Sequence, residues 1–228
     1  MYHKRLVIYI LSMSHLLHID SSLRTEGSRS RRLSSHYAER WQAAHPGSTV
    51  TYRDLAADPI PHLDHAAFSA GFVPAADRTP EQAAAFALGN QLIDEVLAAD
   101  TVLLAMPLYN FGPPSTFKAW FDRIVSPERT VGKLGDKEFV VVTARGGGYQ
   151  PGTPRHGWDH REPWLRHALT TLGVSKAVFI DTELTLARES AAMILLDLGP
   201  AEDQSLADAL AAIDALLAPA VRAYQPVS

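Results

Sequence analysis

The chain contains no cysteine, which excludes disulfides, thiolate-bound metals and a cysteine nucleophile and is compatible with a reducing, cytoplasmic setting. It also lacks an apolar run approaching the roughly 20 residues that a membrane-spanning helix needs. Leu6 to Leu11, behind a basic start of Met1 to Arg5, is short, and no small-x-small cleavage site follows it. Charge of one sign is scarce. The net charge is −4, so nothing overall favours nucleic acid or an anionic membrane as partner. No Gly-Lys-Ser/Thr closes a Walker loop, and no Gly-x-Gly-x-x-Gly, Gly-x-Ser-x-Gly or His-Glu-x-x-His occurs, which leaves nucleotide-fingerprint and hydrolase readings without an anchor. His156, Asp159 and His160 have helical spacing, but Pro151, Pro154 and Gly157 disfavour a helix beneath them and no third ligand is suggested. No metal site is expected.

What is present is an ordinary globular composition of 228 residues, 46% apolar and 20% charged, enough for one α/β domain with a sizeable core. Leu16 to Ile19 reads as a strand, and Ser30 to Ala44 as a helix stopped by His45-Pro46-Gly47. Thr49 to Asp54 alternates and carries β-branched and aromatic residues, so it is a second strand. Residues 56–79 are rich in Pro, Ala and Asp and predict a loop with short helical turns. Thr79-Pro80 is an N-cap and first-turn pair for a long helix from Glu81 to Ala98. Further strands at Thr101–Ala105, Phe139–Thr143 and Ala177–Asp181 are each followed by a helix, at 115–125, 163–172 and 202–217. This alternation, with nearly continuous apolar strands, predicts a parallel sheet covered on both faces. The pattern alone does not give strand order.

Three turns follow strands and carry chemistry. The first, Asp20 to Arg32, gathers serine and threonine hydroxyls with four arginines at a helix N-terminus. Unsatisfied N–H groups and the helix dipole suit a phosphate there, with an N-capped, serine-rich surface turn as the bland alternative. The second, Met106-Pro107-Leu108-Tyr109-Asn110-Phe111-Gly112-Pro113-Pro114-Ser115, sets three prolines and a glycine around aromatic residues. Its backbone is held from helical geometry, leaving N–H and C=O groups to meet a flat ring system. The third, Thr143-Ala144-Arg145-Gly146-Gly147-Gly148-Tyr149, is a glycine turn that permits close backbone approach.

The second and third turns together resemble the flavin-binding loops of the FMN-dependent NAD(P)H azoreductase/quinone reductase family. The resemblance runs from about Ser14 to about Ala218. It implies a flavodoxin-like, doubly wound five-stranded parallel sheet of order 2-1-3-4-5, with ligand at the carboxyl ends of strands 1, 3 and 4. It implies a phosphate site at Ser22, Ser28, Arg29 and Ser30, with Arg24, Arg31 and Arg32 secondary. Leu108 stands where the family has Met and is expected to pack an edge of the isoalloxazine, with the backbone of Tyr109, Asn110 and Phe111 on its polar rim. Ala144, Arg145, Gly146 and Gly147 match the turn facing the flavin N1/O2 edge, and Tyr149 lies where relatives place a His or Tyr near substrate, a candidate proton donor. Met13 matches the usual family start, so residues 1–12 read as an upstream extension or mis-assigned start and 13–228 as a single domain.

One departure stands out. Many azoreductases insert an arm between the third helix and fourth strand whose Phe closes over the partner subunit's flavin, and Asp122 to Lys137 is shorter and lacks that aromatic. Gln150 to Trp164, with Tyr149, Trp158 and Trp164, is the expected substitute cover. Trp120 is expected in the core or at a dimer seam. The resemblance therefore implies a cytoplasmic homodimer that takes a hydride from NADH or NADPH through FMN and passes two electrons to a quinone or azo compound. The alternatives are a flavin reductase supplying reduced FMN to a partner and a flavodoxin-like electron carrier. No 2′-phosphate clamp separates NADH from NADPH.

Overall fold

The computed structural model describes residues 13–218; the reading of residues 1–12 falls outside them. Five parallel strands, β1 (His15–Asp20), β2 (Thr49–Asp54), β3 (Thr101–Pro107), β4 (Glu138–Ala144) and β5 (Lys176–Thr182), form one sheet in the order β2-β1-β3-β4-β5. Helices α1 (Arg29–Ala44), α2 (His65–Ala70), α3 (Pro80–Ala98), α4 (Ser115–Ile124), α5 (Arg161–Thr171), α6 (Ala191–Leu195) and α7 (Gly199–Leu216) connect and cover it. The expected five-stranded doubly wound sheet is present. Only α6, a five-residue helix, has no counterpart in the sequence reading.

The strands are nearly continuous apolar runs because each face of the sheet has its own core. Leu17 and Ile19, Val102 and Leu104, and Phe139 and Val141 point to the layer formed by α3, α4 and α5, where Phe117, Trp120 and Leu165 are buried. Leu16, Leu103, Val140 and Val142 point to the opposite layer, where α1 and α7 bring Leu33, Trp41, Leu206 and Ile213. A period of two along every strand therefore serves both layers. Each fully buried large side chain contributes roughly 1.5–3 kcal/mol, so this sandwich is the rigid frame for the loops at its edge. Trp120 belongs to that core.

The ends of the helices follow their sequence signals. Thr79 Oγ1 accepts from the Gln82 N–H while Gln82 Oε1 accepts from the Thr79 N–H, a complete capping box at the start of α3. Ser28 caps α1, so the helix starts at Arg29. The long segment before α3 holds α2 and a short 3₁₀ turn, Ala75–Asp77. The Asp122–Lys137 stretch folds back by hydrogen bonds from Gly132 N–H to Thr171 O (3.0 Å) and from Leu134 N–H to Leu172 O (2.9 Å), against the end of α5.

Candidate functional site

Chain order reverses between β1 and β3, and the carboxyl ends of β1, β3 and β4 come out side by side at this point. Ladder bonds continue beyond the strands: Ser21 N–H donates to Ala105 O (3.1 Å), Leu108 N–H to Ala144 O (2.8 Å) and Arg145 N–H to Thr182 O (2.9 Å). The three sequence-singled turns are thereby fixed along one edge. Between them lies a cleft of about 160 Å³ bordered by Ser22, Ser28, Ser30, Leu108, Tyr109, Ala144, Gly146 and Leu186. A larger hollow of about 520 Å³ opens at the other end of the sheet, between Tyr37, Trp41, Phe139, Lys176 and Leu216. It is the bigger space but gathers no convergent donors, so the chemistry belongs to the smaller cleft.

On the first loop the hydroxyls of Ser22, Ser28 and Ser30 converge: Ser28 Oγ lies 3.0 Å from Ser22 Oγ and 3.3 Å from Ser30 Oγ. Gly27, at φ 67°, takes the left-handed conformation that turns the chain into the cap. No acidic residue stands in the first turn of α1, and the N–H groups of Ser28, Arg29 and Ser30 have no partner among the described residues. A positive helix end with free donors and no acid beside it suits an anion. The loop is held from behind by Arg31, whose guanidinium donates to Ser22 O (2.8 Å), Arg24 O (3.1 Å) and both oxygens of Asp54 (2.7 and 2.8 Å). The Asp54 bond raises the Arg31 pKa and lowers that of Asp54 below its ordinary carboxylate value, in each case chiefly through that hydrogen bond.

The second loop is a two-residue reversal. Tyr109 and Gly112 exchange N–H···O bonds of 3.1 and 2.9 Å, and Asn110 (φ 46°) and Phe111 (φ 67°) both sit in the left-handed region. These are the signs of a type I′ turn. The strain falls on Asn110 and Phe111 rather than on the glycine, a cost of about 1–3 kcal/mol for such a residue. The Asn110 and Phe111 N–H groups have no partner among the described residues. The Tyr109 hydroxyl accepts from Leu23 N–H (3.2 Å), which ties this loop to the first.

Behind the third loop lies an ionic cage. Arg145 is buried and pairs with Asp159 (3.1 Å), Glu162 (3.2 Å), Glu183 (3.0 Å) and Asp181. Arg161, fully buried, pairs with Asp159 (2.7 Å) and Asp181 (3.3 Å), and burial pulls its pKa down against those acids. Glu183 Oε1 also accepts from Tyr149 N–H (3.1 Å). The turn's carbonyls are spent as well, Gly146 O on Leu186 N–H and Gly147 O on Leu184 N–H, both at 3.2 Å. The N–H groups of Gly146 and Gly147 are left without a partner among the described residues. A Cβ at Gly146 would meet Leu186 Cδ1 at 2.8 Å, and one at Gly147 would meet Arg155 Nη1 at 2.9 Å.

Ser22, Ser28, Arg29, Ser30, Leu108, Tyr109, Ala144 and Gly146 thus border one cleft. Asn110, Phe111 and Gly147 lie on the same turns just outside that border. Two expectations change in kind. The Arg145 side chain points into the cage rather than the cleft, because four carboxylates surround it. The Tyr149 ring is nearly buried and does not border the cleft. Of the aromatic cover, Trp158 meets Phe111 edge-on at 5.7 Å, whereas Trp164 packs on Phe121 at 5.3 Å, in the core layer. Arg31, expected only as a secondary arginine of the first loop, is its keystone, and the sequence reading missed Asp181 and Glu183 as the cage and Thr185 and Leu186 as the cleft's far wall. Two acids at the end of an apolar strand were the available signal. Among the described residues no cluster of His, Asp or Glu could hold a metal ion, and no helix is long and apolar enough to cross a membrane.

Comparison with known proteins agrees with this geometry. The family described as having a flavodoxin-like fold (Flavodoxin_2) matches residues 14–215. The FMN-dependent NADH:quinone oxidoreductase of Frankia casuarinae is 51% identical over 181 residues, 77% of this chain and 86% of that protein. That of Nostoc punctiforme is 41% identical over 214 residues, 90% of this chain and 99% of that protein. Among solved structures, an azoreductase from Bacillus anthracis superposes with a TM-score of 0.74 at 22% identity, covering 90% of this chain and 99% of that one, a likeness of fold. An FMN-dependent NADH-azoreductase of the same species, solved in complex with FMN, gives 0.74 at 20% identity over 90% and 99% of the two chains. With the family match spanning all five strands and the site between them, the chain belongs to the Flavodoxin_2 family of flavodoxin-like proteins.

Proposed function

We propose that this protein is an FMN-dependent NADH:quinone oxidoreductase, one domain over residues 13–228 that works as a cytoplasmic homodimer. The observation that carries the reading is where the free donors are. Ser28, Arg29 and Ser30 on the first loop, Asn110 and Phe111 on the second, and Gly146 and Gly147 on the third keep unpartnered N–H groups along one edge of the sheet. Buried backbone donors are normally satisfied, and exposed ones are left to water or a ligand. Three adjacent loops that leave theirs open fit a ligand with a phosphate at one end and a polar-rimmed ring at the other. FMN has that shape, and the 51% identity to a protein named for FMN, NADH and quinone supports it.

Each loop then has a task. The Ser22, Ser28 and Ser30 hydroxyls and the start of α1 hold the phosphate. Arg29, paired with Glu202 at 2.6 Å, adds a partly neutralised cation beside it. Leu108 supplies an apolar edge for the ring, and the Tyr109–Phe111 backbone meets its polar rim. Gly146 and Gly147 present N–H groups to the ring's pyrimidine edge beside Ala144, where donors favour the anionic reduced form. Arg145 serves the same turn from behind. When bound, FMN supplies the two-electron chemistry between nicotinamide and acceptor. Tyr149, with its ring buried, has the weakest claim, and an unchanged kcat in Tyr149→Phe removes it. Quinones are the acceptor favoured by the relatives' names; azo compounds share the flat shape but meet a cleft without the long arm.

The test is an anaerobic absorbance titration of the FMN-loaded protein. NADH should bleach the flavin band and a quinone restore it with no one-electron intermediate. Bound flavin that NADH does not bleach would replace this reading with an electron carrier, and absence of flavin binding would remove it.

A further inference from the structure

The segment between the glycine turn and α5 bridges the two ring-side loops. It leaves the turn at Tyr149, reverses at Gly152 (φ 86°) and Gly157 (φ 82°), and is pinned to the second loop by a hydrogen bond from His160 N–H to Phe111 O (2.9 Å). Trp158, 52% exposed, stands edge-on to Phe111, 40% exposed, so the arch carries an open aromatic ledge. Arg155 lies at the other end of this arch. Its guanidinium rests against Gly147, with Nη1 2.9 Å from the place a Cβ would take, and stands 6.0 Å over the Tyr149 ring.

Of the other arginines around this edge, all but Arg32 near the start of α1 are spent on acids. Arg24 is held by Glu189 (2.6 and 2.9 Å), Arg29 by Glu202, Arg188 by Glu202 and Asp203, and Arg145 and Arg161 by the cage. Arg155 is exposed and has no ion pair or side-chain hydrogen bond among the described residues. A guanidinium left without a carboxylate, on the arch beside the proposed ring site, is suited to an anionic oxygen group such as a carboxylate, sulfonate or phosphate.

Resting on the proposed oxidoreductase reading, we propose that Arg155 is a specificity-determining residue that binds an anionic oxygen group on the molecule entering the cleft, either a carboxylate or sulfonate on the electron acceptor or a phosphate of the NADH donor. Gly147 is what admits the guanidinium to that position. A flat acceptor would lie toward Trp158 and Phe111 while its anionic substituent meets Arg155.

Because the reaction divides into two half-reactions, the sources separate. The FMN-loaded wild type, Arg155→Gln and Arg155→Lys are compared in three measurements: the bimolecular rate of reduction by NADH, and kcat/KM for a naphthoquinone and for the same naphthoquinone carrying a sulfonate. A fall of about tenfold in the sulfonate-to-neutral kcat/KM ratio on loss of the guanidinium, partly recovered by Arg155→Lys, supports an acceptor anion. A similar fall in the NADH rate with an unchanged ratio supports the dinucleotide phosphate. A change of less than about twofold in both overturns the inference. A dissociation constant for naphthalene sulfonate, read by quenching of tryptophan fluorescence, gives an independent readout. If wild type fails to pass electrons from NADH to the neutral quinone, the oxidoreductase reading fails, while the sulfonate affinity of wild type against Arg155→Gln still decides the role of Arg155.

Discussion

The arginines of the first loop and those behind the glycine turn are one residue type used in opposite ways. Arg24 reaches across the surface to Glu189, both about half exposed, and Arg29, about a quarter exposed, reaches the buried Glu202. Their loop keeps its N–H groups open. Arg145 and Arg161 are buried among Asp159, Glu162, Asp181 and Glu183, and their loop is clamped by what they hold. The Arg24 pair tolerates loss of one partner, since water replaces it, and Glu202 keeps Arg188 if Arg29 is lost. The buried arrangement does not, since removing one charge strands others in a low-dielectric interior. The cleft thus has an adaptable side at the first loop and a rigid side at the glycine turn.

Breaking the rigid side should give the largest effect. Arg145→Met leaves four acids facing each other with Arg161 among them and only Glu162 held from outside, by Arg166. A loss of about 3–5 kcal/mol is expected for an uncompensated buried charge, read as a lower midpoint in urea unfolding. Flavin retention should fall with it, because Glu183 would no longer be held where it accepts from Tyr149 N–H. A midpoint shift worth less than about 1 kcal/mol would mean that the cage is solvated and the contrast with the first loop is false.

Next in size is the open side. Ser28→Ala with Ser30→Ala removes two of the three converging hydroxyls. Hydrogen bonds to a charged group contribute roughly 1.5–3 kcal/mol each, so FMN affinity should fall at least tenfold. Stability should fall by only about 1 kcal/mol, the usual worth of an N-cap, since Ser28 accepts from Arg31 N–H. Equal losses of affinity and stability would show the serines to be a cap and nothing more.

What could be read from the chain beforehand follows the same division. The strands and α3 were legible because burial on both faces leaves continuous apolar runs and because Thr79, Pro80 and Gln82 form a local cap. The convergence of Ser22, Ser28 and Ser30 was legible for the same reason: the three lie close in sequence around one helix end. Arg145 was seen, but its role was not, because Asp181 and Glu183 arrive from β5 and the segment just after it through the pairing of that strand with β4. Tyr149 was placed near substrate by the family resemblance, yet its backbone N–H is held by Glu183 from beyond β5 and its ring lies nearly buried, which no local pattern shows. Helix α6 is too short to show a period.

Arg31 joins the two classes and gives a pH-dependent prediction. Its pairing with Asp54 lowers the pKa of Asp54 from the ordinary value of 3.8. The unfolded chain therefore binds that proton more readily than the folded one. The stabilisation is fully present above the unfolded value and is lost as pH falls through the folded one. Asp54→Asn should flatten the acid limb of an unfolding curve in that range, and it should loosen the loop carbonyls of Ser22 and Arg24 that Arg31 holds. An acid limb identical to wild type would remove Asp54 from the loop's support.

The smallest effect is expected at Arg24. Its bidentate bond to Glu189 is the best-looking ion pair on the first loop, at 2.6 and 2.9 Å, and it raises the Arg24 pKa while lowering that of Glu189, each chiefly through that hydrogen bond. Both side chains are about half exposed, so solvent and salt screen the attraction and ordering two long chains offsets what remains. Arg24→Ala should change stability by no more than about 0.5 kcal/mol, and by less still at high salt. Yet the pair joins the first loop to the segment carrying Leu186, across the cleft. If its loss leaves stability alone but speeds flavin dissociation, the pair acts as a latch on the open side. If neither moves, the adaptability of that side rests on its serines and backbone alone.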